Sequence, residues 1–241
     1  MTSQQHETAA HVSTGIMSLD RMLGGLPRGE LTLLYGEPAT GKTTFALQIA
    51  SKAATNGLKT LFIDADNSFY PERLASMIGD SDDSSSWVSR LIFVSKPTTF
   101  SVLTRILENL GSYASANMSL IVVDTVTSLY RRAMARQGEN VFSLNRELNL
   151  QLAYLTETAK TIGPAVLVTS QVRSIPQGCG PLPRIEPVAT RLVKFWSHTI
   201  LRLSSSSGKG LRALRVEKAD SPRQMGDSLS LRLEAQGLRD L

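Results

Sequence analysis

The sequence predicts an α/β fold in which a mostly parallel central sheet carries helices on both faces and ends in a small antiparallel extension. Three observations predict it. Apolar runs of strand length alternate with segments of helical spacing between residues 31 and 171, and such alternation implies right-handed crossovers between parallel strands. The segment Gly36-Glu37-Pro38-Ala39-Thr40-Gly41-Lys42-Thr43 joins one such strand to one such helix in the pattern of a phosphate loop. After Leu201 the rhythm changes to short strands joined by tight turns.

Residues 1–12 read as a flexible polar tail and residues 13–241 as one domain, with regular structure starting within 13–23. Gly24-Gly25-Leu26-Pro27-Arg28-Gly29 is a turn signal. The apolar run 31–35 is a buried strand, and 42–56 is a helix with Phe45, Ile49 and Ala53 on one face. Asn56-Gly57 stops that helix. Strand 60–64 and helix 71–78 follow, with Pro71 in the first helical turn. Residues 80–86, polar and serine-rich, form a loop, and 91–94 a strand. Helix 99–114 takes Thr99 as its cap. Strand 120–124, the long helix 141–161 and strand 165–171 complete the alternation, and 212–217 and 229–233 form the antiparallel extension.

With 241 residues, 41% hydrophobic and 20% charged, the chain can bury one substantial core. A formal net charge of +5 suits a phosphate-rich partner without requiring one. Cys179 is the only cysteine, which excludes an internal disulfide and fits a reducing compartment. The N-terminus lacks a basic start followed by an apolar stretch, so no signal peptide is read there. No apolar run approaches the roughly 18 residues of a membrane span. The expected setting is cytoplasmic, at the nucleoid, with no membrane partner.

The phosphate loop points to ATP and Mg²⁺. Backbone N–H groups of Gly36 to Thr43 and the following helix end attract phosphate. Lys42 reaches the outer phosphates, the Thr43 hydroxyl ligates Mg²⁺, and Thr44 continues the cradle. Leu120-Ile121-Val122-Val123-Asp124 ends in a carboxylate at the same sheet edge, where it can hold a Mg²⁺-bound water. The plainer reading of Asp124 alone is a turn cap. Asp64 and Asp66 also reach this edge, and Gln171 follows the strand 165–170. A carboxylate there can orient an attacking water and an amide can sense the γ-phosphate, although either can also be a simple cap. His6 and His11 are spaced one residue too far apart for a zinc-binding pair on a helix.

These strand ends resemble the RecA/RadA recombinase superfamily, and within it the archaeal RadB branch. The matching segments begin with Ser13-Thr14-Gly15-Ile16, Leu19-Asp20 and Leu23-Gly24-Gly25-Leu26. The phosphate loop comes next, then Phe62-Ile63-Asp64-Ala65-Asp66 with Phe69-Tyr70-Pro71-Glu72-Arg73-Leu74. Val123-Asp124-Thr125-Val126-Thr127-Ser128-Leu129, Val168-Thr169-Ser170-Gln171-Val172 and the closing Gly237-Leu238-Arg239-Asp240 complete the series. The resemblance implies a RecA-like ATPase core that stacks on neighbouring subunits and binds DNA, single strands favoured, through two loops. Lys42, Asp66 and Gln171 would be catalytic, and Arg73 would stack on adenine. The first loop would follow Leu129 and carry Arg131, Arg132 and Arg136. The second would follow Gln171 and carry Arg173, Gln177, Gly178, Gly180 and Arg184. On composition alone, a solvated basic helix start and a passive loop serve equally well. Lys218 and Pro222 match positions that reach a neighbour's nucleotide.

Three departures qualify the resemblance. Asp66 stands where the family usually has Glu, which predicts intact ATP binding with slow hydrolysis. Before the core there is a short tail without a Phe-containing polymerisation motif, which argues against autonomous long filaments. Near Arg184-Ile185-Glu186-Pro187 the expected Gly-Gly is absent, which argues against strand exchange. The leading expectation is a recombination and repair accessory protein that binds ATP and DNA, acts as a weak DNA-dependent ATPase and modulates a recombinase filament. A KaiC-like signalling ATPase and a non-hydrolysing ATP-bound scaffold are the competing expectations.

Overall fold

Every residue of the strands Leu31–Gly36, Met118–Asp124 and Ala165–Ser170 is buried, the burial expected of parallel strands covered on both faces. A computed structural model describes residues 10–78, 90–113, 118–136, 140–175, 184–220 and 224–241. In chain order it begins with β1 (His11–Val12), α1 (Met17–Leu23), β2 (Leu26–Pro27), β3 (Leu31–Gly36), α2 (Lys42–Thr55), β4 (Lys59–Asp64) and α3 (Pro71–Ile78). Next come β5 (Ile92–Ser95), α4 (Phe100–Glu108), α5 (Leu110–Tyr113), β6 (Met118–Asp124), α6 (Ser128–Met134), α7 (Val141–Ile162) and β7 (Ala165–Ser170). The chain closes with β8 (Val172–Ile175), β9 (Arg184–Pro187), α8 (Thr190–Trp196), β10 (Thr199–Ser205), β11 (Leu211–Lys218), β12 (Ser228–Glu234) and β13 (Gly237–Asp240).

The main sheet has nine strands in the order β13-β12-β11-β10-β3-β7-β6-β4-β5. From β10 to β5 all neighbours are parallel, and β11, β12 and β13 add on antiparallel. The expected fold class, RecA-like with a C-terminal extension, is the one observed. Strand pleat divides the core in two. Leu34, Leu120, Val122 and Leu167 pack with Phe45, Ile49 and Ala53 of α2. Leu33, Ile121, Val123 and Val166 pack on the other face with Leu148, Leu152 and Leu155 of α7.

Several elements differ from expectation. His11 and Val12 pair with Pro27 and Leu26, and Val12 is buried, so regular pairing starts inside the segment that composition assigns to a tail. Within the expected start at 13–23, helix begins at Met17, and residues 13–16 form a turn before it in which Asp20 accepts from Ser13 Oγ at 2.6 Å and from Thr14 N at 2.9 Å. The expected helix 99–114 breaks at Asn109, which caps α4 and turns its side-chain amide onto Arg105 O at 2.8 Å. The expected first loop after Leu129 is helical through Met134. Its Ser128-Leu129-Tyr130-Arg131-Arg132-Ala133-Met134 sequence is rich in helix formers, and Thr125 Oγ1 accepts from Ser128 N at its start. Val172–Ile175 and Arg184–Pro187, placed by the resemblance at the two ends of the second loop, pair as a two-stranded sheet. Gln177, Gly178, Cys179, Gly180 and Pro222, and the loop 80–86, lie outside the described residues.

Candidate nucleotide site

The phosphate loop leaves β3 at Gly36 and enters α2 at Lys42. Only glycine fits at position 36, because a Cβ there would lie 2.0 Å from the Leu203 carbonyl oxygen of β10. Ala39 adopts φ 60, and Arg212 of β11 braces it: Nε donates to Thr40 O at 2.9 Å and Nη2 to Ala39 O at 3.2 Å. Lys42 Nζ donates to Gly36 O at 2.9 Å and Glu37 O at 2.8 Å, inside its own loop. Burial lowers the Lys42 pKa, and Asp124, Asp66 and Glu37 oppose that shift. Glu37 serves through its carbonyl, which also accepts from Thr40 Oγ1 at 2.9 Å.

Asp124 closes the site from β6. Thr43 Oγ1 donates to its Oδ2 at 2.7 Å, Ser68 Oγ donates to Oδ2 at 3.1 Å, and Thr169 Oγ1 donates to Oδ1. Burial raises the Asp124 pKa, and the three hydroxyl donors work against that rise. A hydroxyl and a carboxylate within hydrogen-bonding distance, both hard oxygen donors, suit Mg²⁺ with its remaining waters. The backbone nest and the α2 N-terminus suit phosphate. The residues present therefore fit a Mg²⁺-bound nucleoside triphosphate.

The two carboxylates of the Asp64-Ala65-Asp66 run separate by role. Asp64 is buried and accepts from Ser68 N at 2.8 Å and Phe69 N at 3.0 Å, with Lys96 at 3.5 Å. It shapes the turn that projects Asp66. Asp66 lines a cavity of ≈ 460 Å³ together with Gly36, Lys42, Thr43, Arg73 and Gln171. Gln171 Nε2 lies 3.5 Å from Asp66 Oδ2, and Gln171 Oε1 accepts from Arg131 Nη1 at 2.5 Å. Arg73 reaches from α3 to Thr44 Oγ1 in the first turn of α2. Leu233 and Thr125 line the same cavity although no spacing singles them out.

The arginines expected in two loops divide among three places. Arg131 faces the nucleotide cavity and also a groove of ≈ 650 Å³ that it shares with Arg173, Arg191, Met134 and Val141. Arg132 donates to Ala65 O at 3.0 Å and, with Arg136, lines a smaller recess beside Thr99 and Glu147. Arg184 belongs to β9, and its side chain lies outside what the structure describes. Lys218 turns back onto Ser197 O at 2.6 Å. Arg191, on the seven-residue α8, carries no sequence signal beyond its charge.

The sequence model of the Rad51 family matches residues 5–241. The chain belongs to the Rad51 family. It is 34% identical over 232 residues to the DNA repair and recombination protein RadB of Thermococcus onnurineus, covering 95% of this chain and 97% of that protein. It is 29% identical over 221 residues to the protein of the same name from Methanococcus maripaludis strain C5, covering 91% and 96%. A crystal structure of the RadB recombinase superposes with a TM-score of 0.78 at 29% identity, covering 95% of this chain and 99% of the other. The resemblance to the RecA/RadA superfamily and to its RadB branch is thus borne out for this Rad51-family chain. Among the described residues no helix is long and apolar enough to cross a membrane.

Proposed function

We propose that this protein is a RadB-type accessory factor of DNA recombination and repair that binds ATP with Mg²⁺, binds DNA, hydrolyses ATP slowly and modulates a recombinase. The observation that carries the reading is the convergence of Lys42, Thr43, Asp124, Asp66 and Gln171 at one sheet edge, immediately beside an arginine-lined groove. Bound Mg²⁺ would offset charge on the outer phosphates, held by Thr43 and, through water, by Asp124. Lys42 would exchange its loop carbonyls for phosphate oxygens, Asp66 would orient the attacking water, and Gln171 would sense the γ-phosphate. Arg73 would stack against adenine.

The groove supports single-stranded DNA as the preferred form. Arg131, Arg173 and Arg191 can neutralise phosphates, while the exposed Met134 and Val141 offer apolar surface to unstacked bases. The names of the similar RadB proteins support the recombination setting, and with it a cytoplasmic, nucleoid-associated location, a recombinase partner and contacts between copies. Fluorescence anisotropy with a labelled oligonucleotide tests the reading. Salt-sensitive binding that tightens with ATP and Mg²⁺ in the wild type, and loses that response in Lys42→Ala, is expected. Absence of binding to ATP and to DNA in the wild type would overturn it.

A further inference from the structure

The two cavities meet at Arg131 and Val172, and Arg131 is the charged member of that shared wall. It lines the nucleotide cavity with Asp66 and Gln171 and lines the groove with Arg173 and Arg191. Its neighbour Arg132 is tied to Ala65 O instead, so Arg131 alone of this arginine pair faces both. A primary amide has an acceptor end and a donor end. With the guanidinium on Gln171 Oε1 at 2.5 Å, Gln171 Nε2 is turned toward Asp66 Oδ2. The orientation of the Gln171 amide is therefore set by Arg131, which belongs to α6 and not to β7, the strand that Gln171 follows. A guanidinium pairs readily with phosphate oxygens, so phosphate on either side of this shared wall attracts it.

Resting on the ATP- and DNA-binding reading above, we infer that Arg131 is a positioning residue that couples the two cavities. It holds the Gln171 amide on Asp66 until a nucleic-acid phosphate in the groove draws the guanidinium away. Gln171 Nε2 then turns to the γ-phosphate. Only a triphosphate gains from that turn, so DNA raises the preference for triphosphate over diphosphate, and by reciprocity triphosphate raises DNA affinity. Signal passes through α6 and the first-loop side, rather than only along the chain that follows Gln171.

The test uses the full chain, a non-hydrolysable ATP analogue, ADP, Mg²⁺ and oligothymidylate, with affinities from calorimetry. In the wild type, saturating oligothymidylate is expected to raise the analogue-over-ADP preference about tenfold, within the usual range of coupling between sites. Arg131→Ala is expected to show the raised preference with or without oligonucleotide. Arg131→Lys, which keeps the charge but not the fork, is expected to retain only part of the response. Arg173→Ala faces the groove alone, so it weakens oligonucleotide binding yet keeps the coupling at saturation. Full wild-type coupling in both Arg131 variants would overturn the inference, as would a wild type that binds both ligands without coupling. A wild type that binds neither ligand would instead overturn the site reading, and the inference with it.

Discussion

The Thr43 hydroxyl donates to Asp124 Oδ2 at 2.7 Å, tying the first turn of the phosphate-loop helix to the end of a strand that is not its sheet neighbour. The intervening strand, β7, joins the same carboxylate through Thr169. Three elements thus place a hydroxyl and a carboxylate where a divalent ion can take both. Thr43→Val should lower Mg²⁺-dependent ATP affinity by about 10- to 100-fold, the loss of one charge-associated contact of roughly 1.5–3 kcal/mol. Affinity measured in EDTA should change little. Calorimetry with and without Mg²⁺ checks this, and equal losses in both conditions would count against the metal role.

Asp66 enters the cavity at a distance set by a short side chain, with Gln171 Nε2 3.5 Å away. Asp66→Glu adds one methylene and moves the carboxylate toward the phosphate loop. Placement errors near 1 Å change rates by about 10²-fold, so turnover should rise by roughly one to two orders of magnitude. Phosphate release in the presence of DNA is the readout, and ATP affinity should stay close to wild type. A rate that does not move would sink the account of slow hydrolysis.

The C-terminus is latched to the helix that follows the phosphate loop. Gln48 Oε1 accepts from Leu238 N at 2.7 Å and Gln48 Nε2 donates to Leu238 O at 3.1 Å. Gly237 has φ 134, and a Cβ there would lie 2.4 Å from Gln48 Oε1. Gln48→Ala leaves the Leu238 N–H and C=O without these partners, at roughly 1–3 kcal/mol for an unsatisfied buried group. Gly237→Ala adds both strain and collision. Each should lower Tm by several degrees, since 1 kcal/mol shifts a domain of this size by about 2–4 °C. Differential scanning calorimetry decides it, and a Gly237→Ala protein as stable as wild type would refute the latch.

The same contrast between local and distant partners explains what could be read in advance. The central strands were legible because their apolar runs are continuous. The phosphate loop was legible because its residues are contiguous. The donors that surround Asp124 were not, since Ser68 and Thr169 are ordinary polar residues brought together only by sheet order. Arg212 braces the phosphate loop from 172 residues away. Helix α6 is short and holds two adjacent arginines; the family resemblance implied a loop there, although the residues favour helix and their composition already fitted a basic helix start. Arg131 was singled out for its charge, but only the fold turns it toward Gln171.

Glu30 makes the pH dependence of stability testable. It precedes β3, and its Oε2 is buried with no hydrogen-bond partner among the described residues. Burial raises its carboxyl pKa above the ordinary range, and Asp220 adds to the rise, while His198 and His11 oppose it. The folded protein therefore holds this proton more tightly than the unfolded chain does. The resulting stabilisation is fully present below the ordinary carboxylate pKa and is lost as pH rises through the elevated folded value. At neutral pH the ionised Glu30 weakens the fold. Glu30→Gln should thus melt at a higher temperature than wild type at pH 7, with the gap closing as pH falls through the carboxylate range. Melting curves of both proteins across that range check the sign. A gap that widens on acidification would mean that charge on Glu30 supports the fold, through its two histidine neighbours.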